Sequence, residues 1–180
     1  MNEHTNVFAC APIGRDRDQF LRELLRELAA VLEKTVGLEE AEGFISLVGA
    51  RVGEMMNGEY RAAAGQSPLS LEQVADALVD LKRRIDGGFS VESLDESGIT
   101  LVNTACPFGA YVRNRASLCM MTSNVFGSIA ANNLGYAKVE LQETIAMGHE
   151  GCKVVVYLKR TPDAFDAEGR EYFKVTKTDE

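Results

Sequence analysis

The chain has 180 residues, of which 46% are hydrophobic and 26% charged, and this composition suits one domain with one core. Its formal net charge of −8 argues against direct nucleic-acid binding, which uses clustered lysines and arginines to neutralise phosphates. No apolar run approaches the roughly 20 residues that span a bilayer, and residues 1–18 lack the regions of a signal peptide. We therefore expect a cytoplasmic protein without membrane contact.

Three amphipathic helices are predicted in the first half of the chain, because apolar residues recur there at steps of three and four. The predicted helices cover residues 16–34, 38–57 and 70–86. Ser70 and Gln73 form a capping-box pattern at the start of the third helix, and Gly87 and Gly88 follow its end. The apolar stripes are expected to lie in the core, with the second helix packed on the first.

The spacing of apolar residues changes after Gly88, where two short β-prone runs joined by Asp-Glu-Ser-Gly predict a hairpin. A helix that is apolar on nearly all sides follows and should be the most buried one, and two further strands come after it. These elements are predicted at 89–94, 98–104, 116–134, 136–146 and 152–160. We predict an α+β fold with N-terminal helices and an antiparallel sheet of about four strands packed on a buried helix.

The predicted organisation is a single α+β domain over residues 16–172. A flexible N-terminus at 1–15 precedes it, and a polar tail at 173–180 follows it. Residues from 161 onward are typical of a short amphipathic helix that leads into this tail. The chain shows neither an internal repeat nor a low-complexity tract, which favours one compact unit.

Three cysteines fall at element ends that an α+β fold can bring together. Cys106 follows a predicted strand, Cys119 lies in the first turns of the buried helix, and Cys152 begins a core strand close to His149. Soft thiolates at such a convergence suit zinc or an iron–sulfur cluster. However, close Cys-x-x-Cys pairs are missing, and free cysteine is often buried simply as a small apolar residue.

The charge near these cysteines differs from that of the whole chain. Residues 106–160 carry six lysines and arginines and three acidic residues, and Arg113 and Arg115 lie between the first two cysteines. Neighbouring cations favour thiolate over thiol. The alternative interpretation is that both arginines are solvated loop residues.

The segment LVNTACPFGAYVRNRASLCMMTSNVFG and the two strands after it resemble the methanogen output domain family. This family is related to 4-vinyl reductase domains and to the sensor half of Suf-type iron–sulfur repressors, and the resemblance extends over about residues 16–172. It implies a regulatory α+β domain, usually dimeric, that senses a small ligand or carries an iron–sulfur cluster.

The resemblance also implies a ligand set. The cluster cysteines of the Suf-type repressors match Cys106, Cys119 and Cys152. Some repressors have a further cysteine where this chain has Val102, so the fourth ligand is unassigned, with His149 the nearest candidate and Cys10 a remote one. Because no winged-helix module is recognisable before the domain, a signalling or DNA-binding partner is expected to be a separate chain.

Three functional hypotheses follow. The first is a sensory or regulatory domain that binds an iron–sulfur cluster, or zinc, through Cys106, Cys119 and Cys152. The second is a metal-free sensor with a small apolar ligand in a pocket lined by the 116–134 helix. The third is a thiol enzyme that uses Cys106 or Cys152 with His149 as base, which the sequence supports least because no group that would orient the base is identifiable.

Self-association is the remaining expectation. The first two predicted helices carry long leucine and valine stripes, which exceed what one sheet face of a domain of this size readily covers. The surplus apolar surface predicts a homodimer.

Overall fold

The computed structural model describes residues 14–174, which form the predicted α+β fold. Its helices and strands follow in this order: α1 Arg17–Val36, α2 Leu38–Ala63, α3 Leu71–Arg83, β1 Ser90–Asp95, β2 Gly98–Asn103, α4 Met120–Leu134, β3 Tyr136–Glu143, β4 Cys152–Tyr157, α5 Pro162–Asp166 and β5 Arg170–Phe173. Short 3-10 turns lie at Gly109–Val112, Ala116–Cys119 and Ile145–Met147. Cys10 and the other residues of 1–13 lie outside the described part.

The sheet has five antiparallel strands in the order β1-β2-β4-β3-β5, one more than predicted. The additional strand, β5, pairs with β3. It lies in the region where the sequence predicted a short amphipathic helix followed by a polar tail. Four residues are too short for alternation to distinguish a strand from a turn. The register places Asn103 at the end of β2 opposite Cys152 at the start of β4.

Helix α4 is the centre of the core, as predicted. It packs between the sheet and the helical layer of α2 and α3. The largest fully buried side chains come from α3, β2, α4, β3 and β4: Val74, Leu78, Ile99, Leu101, Phe126, Ile129, Val139, Val154 and Val156. Among the described helices, none has the length and apolar character needed to cross a membrane.

The contact between α2 and α4 includes two glycines that are not part of the predicted apolar stripe of α2. A Cβ atom at Gly49 would lie 2.8 Å from Asn124 Cβ, and one at Gly53 would lie 2.9 Å from Ser128 Cβ, so both positions need glycine for this close approach. Of the stripe predicted as core, Val48 and Met55 are exposed, whereas Ala41 is buried and Val52 packs against the core. The prediction was right only in part, because periodicity identifies an apolar face without identifying the residues that pack against it.

Helix α1 contacts the rest of the domain through the buried Ala29 and through the polar side chains beside it. Arg26 Nη1 donates to the backbone carbonyls of Tyr111 (2.6 Å) and Arg113 (2.8 Å), and Ser117 Oγ donates to Glu33 Oε1 (2.6 Å). Most of its leucine stripe, predicted as core, faces outward: Leu21, Leu24, Leu25 and Leu28 are exposed, as is the neighbouring Val31, whereas Leu32 of the stripe is partly buried. The described chain therefore leaves a long apolar helix face uncovered.

Candidate functional site

A cavity of about 110 Å³ lies beside α4, between the helical layer and the ends of β2 and β4. Its walls are mainly apolar. They include Val52 and Met56 of α2, Leu81 and Ile85, Phe89, Phe108, Val112, Leu118, Met121, Val125, Leu141 and Val154. The polar groups on the walls are Lys82, Asn103, Thr122, Thr144 and the three cysteines, and no carboxylate side chain is among them.

The three predicted cysteines meet at this cavity. Cys106 lies in the turn after β2, Cys119 ends the 3-10 turn before α4, and Cys152 is the first residue of β4. Cys119 therefore precedes the helix in which the sequence placed it. Each of the three side chains is partly buried and unbridged, and each lines the cavity.

The environment of the three sulfurs favours the neutral thiol. Burial raises the pKa of Cys106 and of Cys152, and it raises the pKa of Cys119 to about 12. The two arginines that the sequence offered as thiolate partners do not line the cavity. Arg113 is exposed, and Arg115 pairs with Glu33 at 3.7 Å.

Lys82, on α3, is the charged residue of the site and was not predicted. It is only 5% exposed, and its Nζ donates to Thr122 Oγ1 at 2.7 Å and lies 5.3 Å from the centre of the Phe126 ring. Burial lowers the pKa of Lys82 to about 8. A signal for this position exists in the sequence, because Lys82 lies four residues after Leu78 and so falls on the buried face of α3.

Asn103 ties together the two segments that carry Cys106 and Cys152. Its Nδ2 donates to the carbonyls of Gly87 (3.0 Å) and Ala105 (2.7 Å), and its Oδ1 accepts from the backbone N–H of Cys152 (2.9 Å). All three partners are backbone groups. The buried amide thus fixes the position of both cysteines relative to α3.

The remaining predicted ligands do not join this group. His149 is exposed, does not line the cavity, and places its Nδ1 3.1 Å from the backbone carbonyl of Thr144. Cys10 lies outside the described residues. Within residues 14–174, no group of three or more His, Cys, Asp or Glu side chains is arranged to hold a metal ion. The three sulfurs share the walls of one cavity.

Comparison with known proteins gives a family match and matches to several solved structures. The family described as methanogen output domain 1 matches residues 24–157. A comparison with curated protein sequences found no significant match.

Two of these structures, both of low sequence identity to this chain, show the fold alone. Trafficking protein particle complex subunit 3 from Naegleria fowleri, covalently bound to palmitic acid, has a TM-score of 0.59 at 12% identity, covering 88% of this chain and 98% of that one. The phenol-responsive sensory domain of the transcription activator PoxR, with phenol, has a TM-score of 0.60 at 13% identity, covering 83% and 79%.

Proposed function

Because the chain belongs to the methanogen output domain 1 family, we propose that it is a sensory domain that binds a small apolar ligand in the cavity beside α4. The observation that carries this proposal is the cavity itself. Apolar walls with a few convergent polar groups are typical of small-molecule sites, and here those groups are Lys82, Thr122 and three thiols. The sensory domain of PoxR, which binds phenol, has a similar fold.

A chain of contacts from the cavity wall to helix α1 supports a sensory role. Val112 and Leu118 line the cavity and belong to the 3-10 turns between β2 and α4. The same segment is held against α1 by Arg26 and by Glu33 through Ser117. A ligand that shifts this segment would therefore shift α1 and its exposed leucine face.

Filling the cavity is expected to abolish binding. We predict that phenol and 1-butanol bind the wild-type protein, and that Val125→Phe weakens their binding at least about tenfold because the added ring occupies the site. Calorimetric titration measures this change. Val91→Phe, the same substitution on exposed β1, is the control and should bind like wild type. Equal binding by both variants would contradict the proposed site.

A second candidate function is metal or iron–sulfur binding through Cys106, Cys119 and Cys152. It is favoured by the position of all three cysteines on the walls of one cavity. Loading would require these sulfurs to lose protons that burial helps them retain. A bound cluster would supply redox or oxygen sensitivity.

Metal content distinguishes the two candidates. If the cavity is a site for an apolar ligand, protein purified without oxygen should be colourless and contain no stoichiometric metal. Under the second candidate, it contains iron and sulfide or about one zinc per chain, and Cys→Ser at 106, 119 or 152 each lowers occupancy to a similar extent because the ligands act together. Cys10→Ser is the matched control and should keep full occupancy.

We further infer a homodimer formed through α1. Leu21, Leu24, Leu28 and Val31 repeat at steps of three, four and three, which is the spacing of a helix seam that pairs with an equivalent helix. This seam is exposed because α1 contacts its own domain through Ala29 and the polar side chains beside it. A separate signalling or DNA-binding protein as the receiver of the signal remains a prediction from the sequence.

Charge on the seam should break the dimer. We predict that the wild-type protein is dimeric at micromolar concentration, and that Leu24→Glu combined with Leu28→Glu yields a folded monomer, because four carboxylates would meet at the interface. Light scattering with size-exclusion chromatography gives the mass. Glu27→Gln, on the same helix, should remain a dimer. A monomeric wild-type protein would rule out this interface.

A further inference from the structure

We propose that the ligand of the cavity is a small apolar acid, whose anionic oxygen group lies against Lys82 Nζ. This inference rests on the proposed function, because it names the chemical class of the molecule that the cavity takes. Its basis is the set of groups around Lys82. The ammonium group has three hydrogens to donate, and one of them reaches Thr122 Oγ1 at 2.7 Å.

Lys82 has no anionic partner within the described residues. None of the ion pairs among them includes Lys82, and no Asp or Glu side chain lines the cavity. Its nearest aromatic neighbours, Phe89 and Phe126, present ring carbons that attract a cation only weakly compared with an oxyanion. A buried ammonium without a counter-ion is unfavourable, which makes the site receptive to an anion.

The ionisable groups that face Lys82 do not supply that charge. They are the thiols of Cys106 after β2, Cys119 before α4 and Cys152 on β4, one from each element packed around the amine. Burial raises the pKa of all three, so they are neutral near pH 7. The anion that pairs with Lys82 must therefore come from outside the described part of the chain.

The shape of the cavity limits the rest of the ligand. A volume of about 110 Å³ holds a short hydrocarbon group, and the walls around it are apolar side chains such as Val125, Leu141 and Val154. The hydroxyl of Thr122, next to Lys82 Nζ, offers a second hydrogen-bonding group to an oxyanion. Asn103 is unavailable for this purpose because its amide already bonds three backbone groups. A short-chain carboxylate satisfies all of these constraints.

Matched acids and amides test the inference. We expect butanoate and 3-methylbutanoate to bind at pH 7 at least about tenfold more tightly than butanamide and 3-methylbutanamide, because only the acids place a charge against Lys82. Lys82→Met should remove this preference, because acids and amides then meet the same uncharged side chain. Thr122→Val, which keeps the ammonium, should retain a preference for the acids. Calorimetry measures each affinity.

A pH series on the wild-type protein tests the same point without a variant. The acids stay ionised from pH 7 to 9, whereas Lys82 loses its proton as the pH passes about 8. Acid affinity should therefore fall across this range while amide affinity stays constant. Amides that bind as well as acids at every pH would overturn the inference and leave the proposed function standing. If neither acids, amides nor phenol bind, both the inference and the proposed function are wrong.

Discussion

Replacing Lys82 with methionine is expected to stabilise the ligand-free protein at pH 7. Burial lowers the pKa of Lys82 from its ordinary value of 10.5 to about 8, and a shift of this size corresponds to about 3 kcal/mol of destabilisation of the charged form. Methionine keeps an unbranched stem of similar length and carries no charge. We therefore predict that Lys82→Met raises the free energy of unfolding by about 3 kcal/mol.

The stabilisation should depend on pH with a definite sign. Below pH 8 Lys82 is charged in both the folded and unfolded states, so the full burial penalty is present. Between pH 8 and about 10.5 the unfolded chain binds more protons at this site, so the wild-type protein gains stability as the pH rises. The advantage of Lys82→Met should therefore shrink across this window and vanish above it.

Comparing the two proteins at each pH isolates the effect of the lysine. The thiols act in the opposite direction, because their raised pKa values make the folded protein lose stability as the pH rises above about 9. The charge of Lys82 also lowers the pKa of all three thiols, so the difference between the two proteins is read below pH 9, where the thiols are protonated in both states. Urea unfolding from pH 7 to 9 measures this difference. Lys34→Met, at an exposed position of α1, is the control and should change the free energy of unfolding by no more than about 0.5 kcal/mol. A stability difference between Lys82→Met and the wild-type protein that does not change with pH would contradict a buried ammonium.

Removing the Asn103 side chain is expected to cause a large loss of stability. Asn103→Ala leaves the carbonyls of Gly87 and Ala105 and the N–H of Cys152 without their side-chain partner. An unsatisfied buried polar group costs about 1–3 kcal/mol, so the three together predict a loss of about 3 kcal/mol or more. Chemical denaturation measures the change. Gln142→Ala removes an exposed amide from β3 and should have little effect.

The same variant should loosen the site. Asn103 holds the segments of Cys106 and Cys152 together, so the sulfurs should become more accessible in Asn103→Ala under conditions where the protein is still folded. Alkylation followed by mass spectrometry gives the rate at each cysteine. We expect Cys106 and Cys152 to react faster than in the wild-type protein. Unchanged rates and unchanged stability would show that Asn103 does not organise the cavity.

Periodicity and capping predicted most of the elements of this fold. The third helix begins at the predicted capping box of Ser70 and Gln73, and α4 lies at the centre of the core because its sequence is apolar on nearly all sides. Cys119 was placed one turn too far into that helix, since a 3-10 turn and an α-helix share a similar apolar pattern. Local sequence patterns thus predict the type of an element better than the residues at which it begins and ends.

The apolar stripes of α1 and α2 did not predict which side of each helix packs against the rest of the domain. An apolar stripe predicts burial, but most of the stripe of α1 faces outward because Arg26 and Glu33 bind the loop that carries the 3-10 turns. In α2, Gly49 and Gly53 allow α4 to approach closely, and part of the apolar stripe, including Val48 and Met55, is exposed. Both outcomes depend on contacts between residues far apart in sequence.

The candidate site was predictable only in part, because it too depends on contacts between residues far apart in sequence. The sequence identified Cys106, Cys119 and Cys152 as a set, and all three line one cavity. Their protonation depends on burial, which no spacing rule gives. Lys82 was missed because a lysine within a helix is ordinarily solvent-exposed, and its position beneath Phe89 and Phe126 appears only in three dimensions.

A crystal structure of the protein soaked with butanoate, and separately with phenol, tests most directly whether the cavity is a ligand site. We predict density for each probe between α4 and the ends of β2 and β4, with the carboxylate of butanoate within hydrogen-bond distance of Lys82 Nζ. Probe density only at the protein surface, with the cavity free of ligand at saturating concentration, would contradict the proposed site.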